Sequence, residues 1–210
     1  MKLTLLASLI IFASLISATI KRSKQNYKKI NDEFWAKEEA SNHVRKRSLD
    51  DLNYITVPID KLPLHPMQDD EAVCDFVETL KTLSESTIVN LNGISNTDLK
   101  LSYGTANLTP LSTYDDNFTS LVTTLSRLAT VYHKNGYIAE AEQLLYYALS
   151  VGSDVGQSFY LLASIYDESG RQEEVVNLYE HAKGMDTAFS KAIVRTLQES
   201  YPYVDLPRFE

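Results

Sequence analysis

A chain of 210 residues carrying 20 Lys+Arg against 28 Asp+Glu, a net charge of −8, has room for one ordinary domain with appendages and not for a multidomain enzyme. Apolar residues at 44% and charged residues at 23% exclude both wholesale disorder and a polytopic membrane protein. Seven Gly and six Pro leave little material for hairpin turns or phosphate-cradling loops, and a lone cysteine, Cys74, excludes an internal disulfide framework and a multi-cysteine metal site.

The first predicted element is a membrane span. Leu3 to Ile20 is an 18-residue run without charge, at the short end of what crosses a bilayer as a helix, so residues 1–24 read as an anchor. The rival is a cleaved secretory signal, with Lys2 as its basic start and Ser17 or Ala18 as the cleavage position; Leu15 or Ile16 at −3, and Lys21 with Arg22 just beyond, oppose it. Residues 1–48 hold ten Lys+Arg and four acids, whereas the remainder carries −14. The excess of cations after the span orients the body to the cytoplasm and places the protein in the cell membrane as a single-pass chain. Lys21, Arg22, Lys24, Lys28 and Lys29 can meet anionic lipid, each adding roughly 1 kcal/mol near the surface. An acidic body is a poor partner for nucleic acid. Asn107-Leu108-Thr109 and Asn117-Phe118-Thr119 match the glycosylation sequon, which has meaning only in a eukaryotic secretory lumen, and are read as chance.

Residues 25–48 form a basic juxtamembrane segment in which Tyr27 to Arg47, free of Gly and Pro, is predicted helical. Tyr27, Ile30 and Phe34 share a face, with Trp35 beside them. Two arrangements follow: an interfacial helix with Trp35 at headgroup level, or a stalk continuing the span, which would carry Trp35 about 22 Å beyond Ile20. Residues 49–68 read as an extended linker through Tyr54–Pro58 and Leu62–Pro66.

The body occupies 69–210. Asp69 to Leu83 is amphipathic, with Val73, Phe76, Val77, Leu80 and Leu83 as its stripe and Cys74 half-buried beside them. Asn90 to Tyr114 reads as turns with short helical pieces, and Asp115-Asp116 as an N-terminal cap. Residues 122–155 then align without a gap on 156–189: Leu128, Ala129, Tyr132, Gly136, Glu140, Leu144 and Ala148 return as Leu162, Ala163, Tyr166, Gly170, Glu174, Leu178 and Ala182. Each copy carries an apolar stripe, a glycine stop and a second stripe, the pattern of a helical hairpin. Residues 187–200, with Phe189, Ile193, Val194 and Leu197, suit a capping helix that Pro202 stops.

Leu125, Leu128, Ala129, Tyr132, Gly136, Ala141, Leu145 and Ala148 resemble the tetratricopeptide repeat; Val175 in place of Ala, and Ser153 and Thr187 in place of Pro, depart from it. The stretches Phe34-Trp35, Arg47–Leu52, Asn90–Leu99 and Leu197–Pro202 are similar to those of a family of small membrane-anchored repeat proteins in anaerobic Firmicutes, a resemblance that implies architecture and membrane location and no activity. The expected fold is all-α: a transmembrane helix followed by a short α-solenoid of two tetratricopeptide-like hairpins with capping helices.

Catalytic chemistry finds no foothold. His43, His65, His133 and His181 stand in no nucleophile or metal-site spacing, and the last two read as surface residues of repeat helices. Asn90, Asn92, Asn96 and Asp98 offer calcium a single carboxylate and are better read as folding their own loop. No metal, cofactor or catalytic residue is therefore expected. The resemblance puts the functional surface on the concave side, where repeat positions 2, 5, 9, 12 and 13 fall on Thr123, Ser126, Thr130, His133 and Lys134, then on Gln157, Tyr160, Ser164, Asp167 and Glu168. This polar groove suits an extended or helical peptide, and it lacks the Lys and Asn array that would clamp a C-terminal carboxylate. The expected function is a membrane-anchored scaffold for a protein or peptide partner. Its rivals are a lipid-surface structural protein that self-associates as a homo-oligomer, and a hydrolase using the Asn90–Asp98 loop.

Overall fold

The computed structural model describes the backbone of residues 2–205 and the side chains from Ile16 onward, Ala18 excepted. It is all-α, with helices α1 (Lys2–Asn42), α2 (Glu71–Ser84), α3 (Asn96–Tyr103), α4 (Leu108–Lys134), α5 (Ile138–Ser150), α6 (Gly156–Glu168), α7 (Gln172–Gly184) and α8 (Ser190–Ser200). Among the described residues the sole β feature is a bridge between Tyr54 and Val89. The chain divides into two compact units, Met1–Ser48 with Ser95–Leu108, and Leu49–Ile94 with Thr109–Glu210.

In the first unit α1 runs unbroken through the boundary expected near residue 24, so Tyr27–Asn42 continues the preceding helix. No Gly or Pro interrupts the run. Among the described residues no helix is long and apolar enough to cross a membrane, and most of the Leu3–Ile20 segment lies outside those whose side chains are described. The last turns of α1 pack on α3, whose N-terminus is capped by Ser95. Glu38 accepts from Thr97 Oγ1 at 2.6 Å and pairs with Lys100; Lys37 donates to Asp98 at 2.6 Å. These partners hold both carboxyl groups below the usual carboxylate pKa, Lys100 doing most for Glu38 and Lys37 for Asp98. Asn107 is fully buried, its amide donating to the carbonyls of Arg47 and Tyr103, and Asn117 donates to Thr87; both sequon amides hold backbone.

The second unit is built on the repeat. α4 and α5 form one hairpin, α6 and α7 the next, and the two turns carry equivalent hydrogen bonds. Tyr137 N donates to Tyr132 O at 3.0 Å as Arg171 N donates to Tyr166 O at 2.8 Å, and Gly136 and Gly170 take φ of 84° and 74°. Only glycine adopts that conformation without strain, which is why it recurs at the 34-residue interval. Ala129, Ala163, Ala141, Ala148 and Ala182 are fully buried, Val175 occupies the place of an alanine without exposure, and Tyr132 and Phe159 fill the space between helices. Ser153, standing where the repeat consensus has Pro, is buried and shapes the turn, its Oγ accepting from Val155 N at 3.3 Å.

Several expectations need correcting. α4 begins at Leu108, not near Val122, so Thr109–Tyr114 is helical and Asp115-Asp116 lies mid-helix. Asp115 caps no helix and instead accepts from Leu91 N at 3.1 Å. Cys74 is exposed, its thiol donating to Gln68 O at 3.0 Å, because α2 buries Val73, Leu80 and Leu83 on another face; Asp70 caps that helix through Val73 N. Phe189 is 60% exposed and precedes α8, leaving Ile193 and Leu197 to dock that helix on α6 and α7. Residues 53–66 belong to the core of the second unit: Val57 and Leu62 are buried, and Tyr147 and Gln143 of α5 donate to the carbonyls of Thr56 and Lys61.

Candidate functional site

α4 and α6 stand at equivalent places in their hairpins, and their outward positions were expected to make one groove. The structure brings Thr123, Ser126, Thr130 and Gln157 together around a cavity of about 450 Å³, with Phe76 of α2 and Arg127, Val131 and Val155 completing the wall. Hydroxyls contribute less polarity here than the sequence suggests. Ser126 is buried, and Thr130 Oγ1 donates back to Ser126 O at 2.8 Å, so that hydroxyl is satisfied within α4. The result is a largely apolar depression with Arg127 among its lining residues, able to take an aliphatic or aromatic side chain. Of the other first-repeat positions, His133 is half-buried, Lys134 is exposed, and neither lines this cavity.

Of the other second-repeat positions, Asp167 is engaged by the returning C-terminal segment and Ser164 by Glu168 of its own helix. Tyr203 donates from its hydroxyl to Asp167 Oδ1 at 2.7 Å, and Ser164 Oγ donates to Glu168 Oε1 at 2.6 Å. Burial and then the Asp167 carboxylate push the Tyr203 hydroxyl far above its ordinary value; Tyr201, raised chiefly by burial, feels Asp167, Glu168 and Ser164. The segment Tyr201–Asp205 is anchored by Val204, 3% exposed, and by Asp205, which accepts from Tyr179 and Gln198. Ser164, Asp167 and Glu168 are thus engaged within the chain, while Tyr160 folds its ring against Gly156. Phe76, Arg127 and Val155 escaped the sequence reading because no repeat position announces them. Tyr201-Pro202-Tyr203, directly after the capping helix, was the available sign of a returning segment.

The Asn90 loop is folded as its side chains predict. Asn90 Oδ1 accepts from Asn92 N at 2.9 Å, and its amide donates to Gly152 O at 3.2 Å. Asn96 opens α3, and Asp98 is held by Lys37 and Ser95. Asn90 and Asn92 line a wider cavity with His181, whose ring stacks on Phe159. Among the described residues no cluster of three metal-ligating side chains occurs. Of the residues expected at the membrane surface, Lys21, Arg22, Lys24, Lys28, Lys29 and Trp35 are all exposed on α1, with Lys29 paired to Glu33 at 3.7 Å.

No protein-family model matches the chain, and no curated protein or solved structure is similar to it.

Proposed function

We propose that the chain is a single-pass protein of the cell membrane whose body, a short α-solenoid of two tetratricopeptide-like hairpins, faces the cytoplasm and recruits a protein or peptide partner. On this reading Leu3–Ile20 is the span, α1 continues it as a stalk, and the work is binding, not catalysis. The observation that carries the reading is the cavity between α4, α6 and α2: four of the positions that such repeats use for ligands line it, while Asp167 on α6 is engaged by Tyr203. A partner peptide would seat one apolar side chain against Phe76, Val131 and Val155 and place an acidic group by Arg127.

Panning a random peptide display library on the full chain in nanodiscs tests this. The expected result is a class of peptides with an apolar residue beside Asp or Glu, whose binding falls at least tenfold in Thr130→Arg and in Arg127→Glu. Selected peptides indifferent to both substitutions, or the absence of any enriched class, would overturn the groove assignment.

A further inference from the structure

α1 carries an uncovered seam. Ile16, Ile20, Tyr27, Ile30 and Phe34 are exposed by 43, 51, 74, 66 and 51%. Their separations of 4, 7, 3 and 4 residues are those of alternating a and d positions in a heptad, with Ser23 at the one intervening place. The same register runs back in sequence through Ala13, Leu9 and Leu6, so nine successive seam positions hold no charge. Every charged residue between Ile20 and Phe34 falls off the seam.

We infer that this seam pairs with the same seam of a second copy of the chain, forming a parallel two-helix coiled coil over Ile16–Phe34. Three features favour a helix over lipid as the occupant. First, the seam keeps the alternating a and d spacing of a paired helix without a break from Ile16 to Phe34, with Lys21, Arg22, Lys28 and Lys29 about 130° round the helix from its middle and so clear of a partner helix. Second, α1 already uses this stripe to bind a helix. Of the next seam positions, Lys37 pairs with Asp98 of α3, and Ser41 is fully buried, its carbonyl accepting from Thr105 beyond α3. Third, pairing would take the exposed parts of Tyr27, Ile30 and Phe34 on each of two helices out of water, on the order of several hundred Å², while Ile16 and Ile20 would meet their counterparts at the end of the span. Glu33 of one copy would approach Glu38 of the other, whose charge Lys100 already meets. In-register parallel pairing rests on the membrane reading above, because both copies then enter from one side; the seam itself does not.

Single-cysteine chains in a Cys74→Ser background, kept full length in native membranes, test the pairing under mild copper-phenanthroline oxidation. Ile20→Cys, Tyr27→Cys and Ile30→Cys should form disulfide-linked dimers at least fivefold faster than Arg22→Cys and Lys28→Cys. Replacing Tyr27 and Ile30 together by Glu should abolish crosslinking at Ile20→Cys while leaving the helical content unchanged. Uniform crosslinking, crosslinking to a different protein, or quenching of labels on the seam by lipid-borne nitroxide without dimers would overturn the inference. Carbonate extraction separates the two readings: a chain retained by membranes but not crosslinked refutes the seam alone, and a crosslinked chain washed from membranes refutes the anchor alone.

Discussion

The outward faces of α4 and α6 descend from the same repeat position yet meet different fates. Around α4, Thr123, Ser126 and Thr130 border an open cavity; on α6, Asp167 accepts the hydroxyl of Tyr203 and Ser164 is tied to Glu168. The core behind the two faces is nearly the same, with Leu125, Leu128, Ala129 and Tyr132 answered by Phe159, Leu162, Ala163 and Tyr166, all buried. Equivalent backbones therefore set equivalent packing, while the surface is decided by what else the chain brings to it. In this protein that is α2 at one end and Tyr201–Asp205 at the other.

The strongest way to test the equivalence is to overpack both interiors. Ala129→Phe and Ala163→Phe each force a ring into a fully buried methyl site and should each cost about 1–3 kcal/mol in chemical denaturation. The two costs should agree to within about 1 kcal/mol if the sites are structurally the same. A melt unmoved by either would dissociate the hairpins from the 34-residue register.

Much of this packing was legible in the sequence because the 34-residue interval links local and tertiary constraints: a glycine stop, a small residue at each close approach and a tyrosine at each hairpin end must recur together. What was not legible depends on contacts that no interval encodes. The early start of α4 was hidden because Leu108–Tyr114, rich in Thr and Ser, has weak helix propensity of its own; Leu111, fully buried, holds that turn by packing. Cys74 looked half-buried since it adjoins Val73, but α2 buries Val73, Leu80 and Leu83, which leaves Cys74 on the wet side. The engagement of Asp167 on α6 was invisible because polar positions on a repeat helix read alike whether solvent or a returning segment meets them.

That contact gives the next effect. Tyr203→Phe removes the hydroxyl held by Asp167 and should cost about 1–2 kcal/mol, the range for a bond to a charged acceptor that is partly shielded from water. The sharper readout is access. With Cys74→Ser as background, maleimide labelling of Ser164→Cys should accelerate several-fold in Tyr203→Ala, whereas labelling of Thr130→Cys should not change. Equal acceleration at both would mean that the two faces are not independently covered.

The tyrosines that end each first helix answer to pH in the same direction. Burial pushes Tyr132 up to about 12, and burial likewise raises Tyr166. A phenol whose value is raised by folding contributes stability that is intact below about 10, its unfolded value, and is lost as pH climbs through the folded value. Tyrosinate absorbance and helix loss should therefore rise together between about pH 10 and 12. Tyr132→Phe should shift the transition to higher pH while weakening the neutral fold only slightly, since the hydroxyl reaches Pro66 O at a long 3.4 Å. Ionisation of Tyr132 well before the helices melt would argue that its ring is not enclosed as α4 and α5 require.

The smallest expected effect is the most specific to the comparison. Tyr137 and Arg171 are the same repeat position, and each covers the ring of the tyrosine that closes its helix. Tyr137 lies 6.0 Å from the Tyr132 ring as a tilted aromatic pair, and Arg171 sits 4.6 Å over Tyr166 as a cation on a π face. Arg171 also forks onto Glu142 of α5, with both nitrogen to oxygen distances at 2.7 Å, so it fastens the second hairpin to the first by charge, whereas the contact of Tyr137 stays within its own hairpin. The pair is partly exposed, which limits Arg171→Met to about 0.5–1 kcal/mol, close to the effect of Tyr137→Leu. Salt distinguishes them. Raising the ionic strength from about 0.02 to 0.5 M shortens the screening length several-fold, and the cost of Arg171→Met should shrink accordingly while that of Tyr137→Leu stays constant. Equal salt dependence at the two positions would show that ring covering, not the link to Glu142, is what Arg171 contributes.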